Sequence, residues 1–179
     1  MDFTRLKKNI FDVIKEQQIK LGYRKEAVRL YYPLQSLNRL LGTELDENGM
    51  ITALKSFAES VKDELGDINI SCDKNRFCFF LPEKTSEYIH TLTDNNDFLY
   101  DFIATVSKHG VTIDEIYRLF KKYSNNVHFE KLNNGEFDYL IYFENGEPDD
   151  YRYCLTDERD HIIYHRFTVE DYNDNYSDK

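Results

Sequence analysis

Between Val127 and Phe167 four short runs alternate apolar and polar residues, and the segments joining them are turn sequences. Val127 to Leu132 leads into Asn133-Asn134-Gly135. Phe137, Tyr139, Ile141 and Phe143 share one face of the next run, which Asn145-Gly146-Glu147-Pro148-Asp149-Asp150 ends. Tyr151, Tyr153 and Leu155 follow, then a turn at Asp157 to Asp160, then Ile162 and Tyr164 to Phe167. Parallel strands need a crossover of roughly a dozen residues or more, so these four runs predict an antiparallel meander.

Upstream the period changes to that of a helix. Thr112 and Glu115 form a capping box ahead of Ile113, Ile116, Tyr117, Phe120 and Tyr123, with Lys121 and Lys122 in the last turn. Phe98, Leu99, Phe102, Ile103 and Val106 mark a helix before it, stopped at Gly110. Earlier still, Phe3, Leu6, Ile10, Val13, Ile14 and Leu21 recur at helical spacing up to Gly22. Residues 27–32 alternate as a short strand. Pro33 then fits the first position of a helix that Gly42 ends, because its missing N–H is not needed there. A helix over 46–65 carries Met50, Leu54, Phe57, Val61 and Leu65. Two strands, Ile68 to Ile70 and Arg76 to Leu81, bracket a turn at Cys72-Asp73-Lys74-Asn75, and Pro82 starts a short helix to Leu92.

The predicted fold class is therefore α+β: N-terminal helices in winged-helix-like order, then a helix pair with the antiparallel β-meander. The polar run Thr93-Asp94-Asn95-Asn96-Asp97 is the best boundary. It suggests residues 1–92 as a helical, winged-helix-like part with one hairpin, 93–170 as helices plus meander, and 171–179 as a frayed acidic tail. One compact domain overall is the alternative, since 179 residues can bury roughly 70% of their unfolded surface together.

Charge limits the partners. The net charge is −10, yet residues 1–42 hold nine Lys/Arg against four Asp/Glu, and residues 133–179 hold four against thirteen. An acidic chain with one basic end is a poor generic binder of nucleic acid, whose affinity comes from neutralising phosphates. In a winged helix the helix at 46–65 would enter the major groove. Its outward candidates are Glu47, Lys55, Glu59, Lys62, Asp63 and Glu64, which repel DNA. Three cysteines, an odd number without metal-ligand spacing, point to a reducing compartment. Neither a signal-peptide pattern nor a membrane-spanning run is visible, so the expected location is the cytoplasm.

Catalytic signatures are missing from the linear sequence: no glycine-rich phosphate loop, no His-Glu-x-x-His, no serine in a nucleophile elbow. His161 and His165 on one strand lie about 13 Å apart, too far to share a metal. His128 is a neighbour in the meander, and His90 and His109 carry no spacing signal. Asp171, Asn173 and Asn175 imitate the start of a calcium loop without its glycine or its closing glutamate. Cys72, Cys78 and Cys154 read as small buried side chains, and Asp149 and Asp150 as solvated turn residues. Tyr139, Phe143, Tyr151, Tyr153 and Tyr164 could line a groove, but aromatics on strands usually pack a core.

The stretch Ile14-Lys15-Glu16-Gln17-Gln18-Ile19-Lys20-Leu21-Gly22-Tyr23-Arg24-Lys25-Glu26, running into Arg29 through Gly42, resembles an uncharacterised bacterial family, domain of unknown function 3877. The resemblance extends over most of the chain and is specific in the first forty or so residues. It implies a bacterial, cytoplasmic setting and brings no activity, cofactor or catalytic residue with it.

These readings lead to a non-enzymatic protein-interaction or regulatory module with no cofactor, no metal and no membrane contact. The partner expected is a protein, met by Arg24, Arg29, Tyr31 and Tyr32. The alternatives are a winged-helix-type DNA-binding regulator, with Arg5, Lys7, Lys8, Arg24, Lys25 and Arg29 on phosphate, and an enzyme whose site is dispersed in sequence.

Overall fold

The computed structural model describes residues 1–92, 97–132 and 134–176. It is α+β and divides into two compact units, Met1–Thr93 and Asp94–Lys179. The polar run at 93–96 and Asn133 of the predicted turn lie outside the described residues.

In the first unit the elements run α1 (Thr4–Leu21), β1 (Val28–Pro33), α2 (Leu34–Leu41), α3 (Glu47–Ser60), α4 (Lys62–Leu65), β2 (Asn69–Asp73), β3 (Arg76–Leu81) and α5 (Glu83–Thr91). The three strands form one antiparallel sheet in the order β1-β3-β2. One core holds it together: Leu6, Ile10 and Ile14 of α1, Leu37 and Leu41 of α2, Met50, Leu54 and Phe57 of α3, and Phe77, Phe79 and Leu81 of β3. Val13 and Leu21, expected on the buried stripe of α1, are exposed.

Pro33 is the last residue of β1 rather than the first of α2. Its φ of −64° is combined with an extended ψ of 152°, so it caps the helix from the strand side, and Leu34 N–H donates to Asn75 O at 2.8 Å. Gly42 does end α2, in the left-handed region that glycine enters freely, and its N–H returns to Arg39 O. Asn38 then fixes the step into α3: its Oδ1 accepts from Thr43 Oγ1 and Leu45 N–H, each at 2.8 Å, and its Nδ2 donates to Leu45 O at 2.9 Å.

The single helix predicted over 46–65 is broken. Asp46 caps α3 by accepting from Gly49 N–H, but Ser60 Oγ donates to Phe57 O at 2.7 Å and competes for a helix carbonyl, and Val61 leaves helical geometry (φ −109°, ψ 5°). α4 is a separate turn, which lets both Val61 and Leu65 stay buried. The β2–β3 turn is also shorter than predicted. The strands run to Asp73 and from Arg76, leaving Lys74 and Asn75 as a two-residue turn with both φ values positive.

The second unit contains α6 (Asp97–Val106), α7 (Ile113–Tyr123), β4 (Val127–Lys131), β5 (Tyr139–Phe143), β6 (Arg152–Asp157), β7 (Ile162–Phe167) and α8 (Val169–Tyr176), with strand order β4-β5-β6-β7. Thr112 and Glu115 make both bonds of the capping box. Phe98 and Phe102 of α6 and Phe120 of α7 each meet Tyr153 of the sheet edge to face, with ring centroids 4.7 to 5.9 Å apart, while Phe143 meets Phe98 edge to face at 4.8 Å and stacks on Phe120 at 4.9 Å. The meander aromatics are thus core: Phe143, Tyr151 and Tyr153 are buried, Tyr139 and Tyr164 half-buried.

Two readings of the turn and the tail need correction. Asp149 is not solvated; it is buried and ion-paired with Arg166 at 2.7 Å. Residues 171–176, expected to fray, belong to α8. Thr168 and Asp171 bond reciprocally at its start, and Tyr172 packs with Phe137, Leu140 and Cys154 on the opposite sheet face. Asp171, Asn173 and Asn175 therefore lie along a helix and cannot curl round a calcium ion.

Candidate functional site

The first unit's sheet packs one face on its helices and turns the other outward. Alternation along β1 sends Val28, Leu30 and Tyr32 inward and Arg29, Tyr31 and Pro33 outward. On β3 the buried residues are Phe77, Phe79 and Leu81, which leaves Arg76, Cys78 and Phe80 outward. The register sets Arg29 opposite Phe80, Tyr31 opposite Cys78 and Pro33 opposite Arg76. Asn69, Ser71 and Asp73 of β2 continue the same rows.

Two guanidinium groups cover two rings on this surface. Arg29 lies 5.4 Å from the centroid of Phe80, directly across the strand pair, and Arg76 lies 5.0 Å from the centroid of Tyr31, on the diagonal. Cation and ring quadrupole attract each other in this arrangement. Tyr31 is 53% exposed. Neither arginine is in ion-pair contact with a carboxylate among the described residues, although Asp73 is the cross-strand neighbour of Arg76.

Of the four residues singled out from sequence, Arg29 and Tyr31 share this face. Tyr32 points the other way: it is 9% exposed, its hydroxyl donates to Asn9 Oδ1 at 2.8 Å, its ring meets Phe79 edge to face, and burial pushes its phenol pKa up. Arg24 sits in the loop before β1, where its carbonyl accepts from Ser86 Oγ. Arg76, Phe80 and Cys78 were missed. The alternation Arg76-x-Cys78-x-Phe80 was visible, but the pairing that sets it beside Arg29 and Tyr31 spans some fifty residues of sequence.

Much of the basic character of residues 1–42 is spent within the unit. Lys7 pairs with Glu64, Lys8 with Asp12, Lys20 with Glu16 and Lys25 with Glu87. Hydrogen bonds from Lys7 and Tyr88 hold the Glu64 carboxyl below its usual range. The outward face of α3 is less acidic than the sequence suggests, because the helix ends at Ser60. Lys62 is taken by Asp67 and Glu64 by Lys7, both beyond it, and α3 itself exposes Asn48, Thr52, Lys55, Ser56 and Glu59. Its N-terminus is still acidic, with Asp46 as cap, Glu47 in the first turn and Glu44 in the segment before it.

The histidines do not converge as a group. His128 stacks on Tyr142 with its Nε2 3.3 Å from Glu130, and His161 meets His109 ring to ring at 5.2 Å. Among the described residues no group of three or more His, Cys, Asp or Glu is placed to hold a metal ion, and no helix is long and apolar enough to cross a membrane. The three cysteines are unpaired to one another; burial raises the Cys72 thiol and pushes Cys154 up to about 12. A protonated thiol in that range is a poor nucleophile.

A family model described as a domain of unknown function from an E. rectale gene description, DUF3877, matches residues 3–176. The chain belongs to that family. The match runs through both units of the DUF3877 chain, so the exposed sheet face and the meander are parts of one family domain. No curated protein and no solved structure matches the chain.

Proposed function

We propose that the protein is a bacterial, cytoplasmic, non-enzymatic interaction or regulatory module, and that its first unit is a winged-helix-like fold holding a protein partner on the outer face of its sheet. The observation that carries this reading is the pair of arginines, Arg29 and Arg76, lying over Phe80 and Tyr31 on a surface open to solvent. Arginine and large aromatics concentrate in protein interfaces and supply most of their binding energy. Two cations against the single cross-strand carboxylate of Asp73 favour a partner segment that carries carboxylates beside an apolar side chain.

A second reading, duplex DNA, has one observation in its favour. The hairpin that follows α1 to α4, in the sheet order β1-β3-β2, carries Lys74 and Arg76 at its tip, where Asn75 N–H donates to Glu47 at the start of α3, and the exposed middle of α3 is nearly neutral. Against it stand the acidic first turn of α3 and a net charge of −10.

One set of measurements separates them. A photo-reactive residue at position 31 is expected to yield a discrete protein adduct in cells. The same adduct should disappear when Arg29→Glu and Arg76→Glu are combined, and purified protein should not shift duplex DNA at low salt. A salt-sensitive DNA shift lost on Lys74→Glu and Arg76→Glu would favour the second reading. Absence of any adduct that depends on the two arginines would remove the first, and turnover traced by substitution to a cluster in this chain would end its non-enzymatic part.

A further inference from the structure

β4 is an outer strand of the second unit's sheet, and the hydrogen bonds at its two ends show which of its backbone groups point away from β5. Leu132 N–H donates to Asp138 O at 2.7 Å and Glu144 N–H donates to Asn126 O at 3.0 Å, both in the register that sets Phe129 opposite Ile141. In an antiparallel ladder, residues that exchange bonds with the neighbouring strand alternate with residues that do not. Asn126, His128, Glu130 and Leu132 therefore bond to β5. Val127, Phe129 and Lys131 turn their N–H and C=O groups the other way, where none has a hydrogen-bond partner among the described residues.

The side chains leave this edge open. Phe129 is 38% exposed, and Glu130 and Lys131 are exposed beside it. The Phe129 ring lies 5.1 Å from Tyr117 of α7 and 5.6 Å from Tyr139 of β5, so an aromatic patch reaches the edge on the α7 side. His128 and Glu130 occupy the other face. Folded proteins blunt an outer strand with proline, with a bulge, with charge or by covering it. β1 of the first unit ends at Pro33, which has no N–H to offer. β4 keeps an unbroken register without proline, and its charges, Glu130 and Lys131, come with the means of their own neutralisation.

That means is the sequence Val127-His128-Phe129-Glu130-Lys131, which complements itself when reversed. Antiparallel pairing of two copies about a two-fold axis at Phe129 sets Phe129 against Phe129, Val127 against Lys131 and His128 against Glu130. The backbone alternation agrees with the side chains. The Phe129–Phe129 and Val127–Lys131 pairs join residues whose N–H and C=O groups face the edge in both copies, and each such pair exchanges two bonds. His128 and Glu130 fall in the closer, non-bonded pairs, where opposite partners attract. Neighbouring registers are worse: an axis at Glu130 sets two carboxylates face to face, and an axis at His128 carries Lys131 past the end of the other β4.

We propose that β4 is the interface of a homodimer, in which the sheets of two second units join edge to edge through β4–β4 pairing centred on Phe129. Tyr117 and Tyr139 of each copy flank the two phenylalanine rings, and the Lys131 stem lies along Val127 of the other copy with its ammonium in water. This interface belongs to the second unit and does not depend on the partner surface of β1 and β3.

The test is sedimentation equilibrium of the full chain from micromolar to submillimolar concentration, where a monomer–dimer equilibrium is expected. His128→Glu sets like charges opposite each other on both sides of the axis and should raise the dimer dissociation constant by about tenfold. Adding Glu130→Lys makes those pairs opposite in sign again and should recover most of the parent's affinity. Lys131→Pro removes an N–H that β5 does not use, so it should weaken the dimer while the monomer melts like the parent. If that variant fails to fold, the charge reversal still decides. A chain that stays monomeric at submillimolar concentration overturns the proposal and leaves the edge to a strand of another protein. So does a dimer that His128→Glu leaves intact, or one whose loss Glu130→Lys does not repair.

Discussion

Asp149 Oδ2 and Arg166 Nη2 lie 2.7 Å apart with side chains only 2% and 6% exposed, so the second unit encloses an ion pair. Asp149 Oδ1 accepts from Tyr151 N–H at 3.0 Å, and the guanidinium lies 3.7 Å from the Tyr151 ring centroid. The pair thus ties the turn before β6 to β7, two strands that hydrogen-bond to each other. Removing one partner leaves the other as a buried charge, which costs far more than the pair contributes. Asp149→Asn is expected to lower stability by about 3–5 kcal/mol in urea denaturation. Asp149→Asn combined with Arg166→Met should be less destabilised than Asp149→Asn alone; a loss equal to the sum of the two single variants would contradict this account.

Tyr31 and Tyr32 are adjacent in sequence and opposite in fate. Tyr32→Phe loses the bond to Asn9 and should cost about 1 kcal/mol, and Tyr32→Ala about 3–5 kcal/mol as an aromatic removed from a core. Tyr31→Ala, at a solvent-facing position, removes the ring under Arg76 and a good strand former and should cost about 1 kcal/mol, well below Tyr32→Ala. Denaturation curves of the three variants decide it. Equal losses for the two alanine variants would mean that the strand's alternation is misread.

That alternation marks how far the sequence could be read. The capping box at Thr112, the four strands of the meander and the order of elements in the first unit were legible, because each rests on local periodicity or on turn residues a few positions apart. The break at Val61 was not, since Ser60 bonding to Phe57 leaves the apolar spacing of the helix unchanged. α8 was missed because its buried stripe is tyrosine, which composition places equally well in a solvated tail. The candidate surface was half visible: Arg29 and Tyr31 lie in the stretch that drew notice, whereas Arg76 and Phe80 join them only through strand pairing. The unmet Gln18 Oε1 was invisible, because such an orphaned acceptor exists only once α1 and α5 are packed.

Gly66 is the position where the backbone most needs glycine. Its φ is +81° with ψ −168°, a region nearly closed to other residues, and a Cβ there would lie 2.9 Å from Pro82 Cγ. Gly66→Ala should therefore cost about 1–3 kcal/mol from backbone strain before any clash is counted. By contrast Gly22→Ala, also at positive φ but with open space around the added methyl, should cost less. Reversal of that order in thermal melts would place the strain elsewhere.

Glu64 gives the first unit a predictable response to acid. Its carboxylate accepts from Lys7 Nζ at 2.8 Å and from Tyr88 hydroxyl at 2.9 Å, joining α4 to α1 and α5, and these bonds hold its pKa below the ordinary 4.5. A carboxylate whose pKa is depressed by folding stabilises the folded state above its unfolded pKa, and that contribution is lost as the pH falls through the folded value. Glu64→Gln should therefore be less stable than the parent near neutral pH, by under about 1 kcal/mol because solvent screens so exposed a pair. The difference should shrink as the pH drops below 4.5 and the parent's carboxylate takes up its proton. Paired urea denaturations across that range measure it. A difference that stays constant, or widens, in acid would show that the three-element link at Glu64 does not depend on its charge.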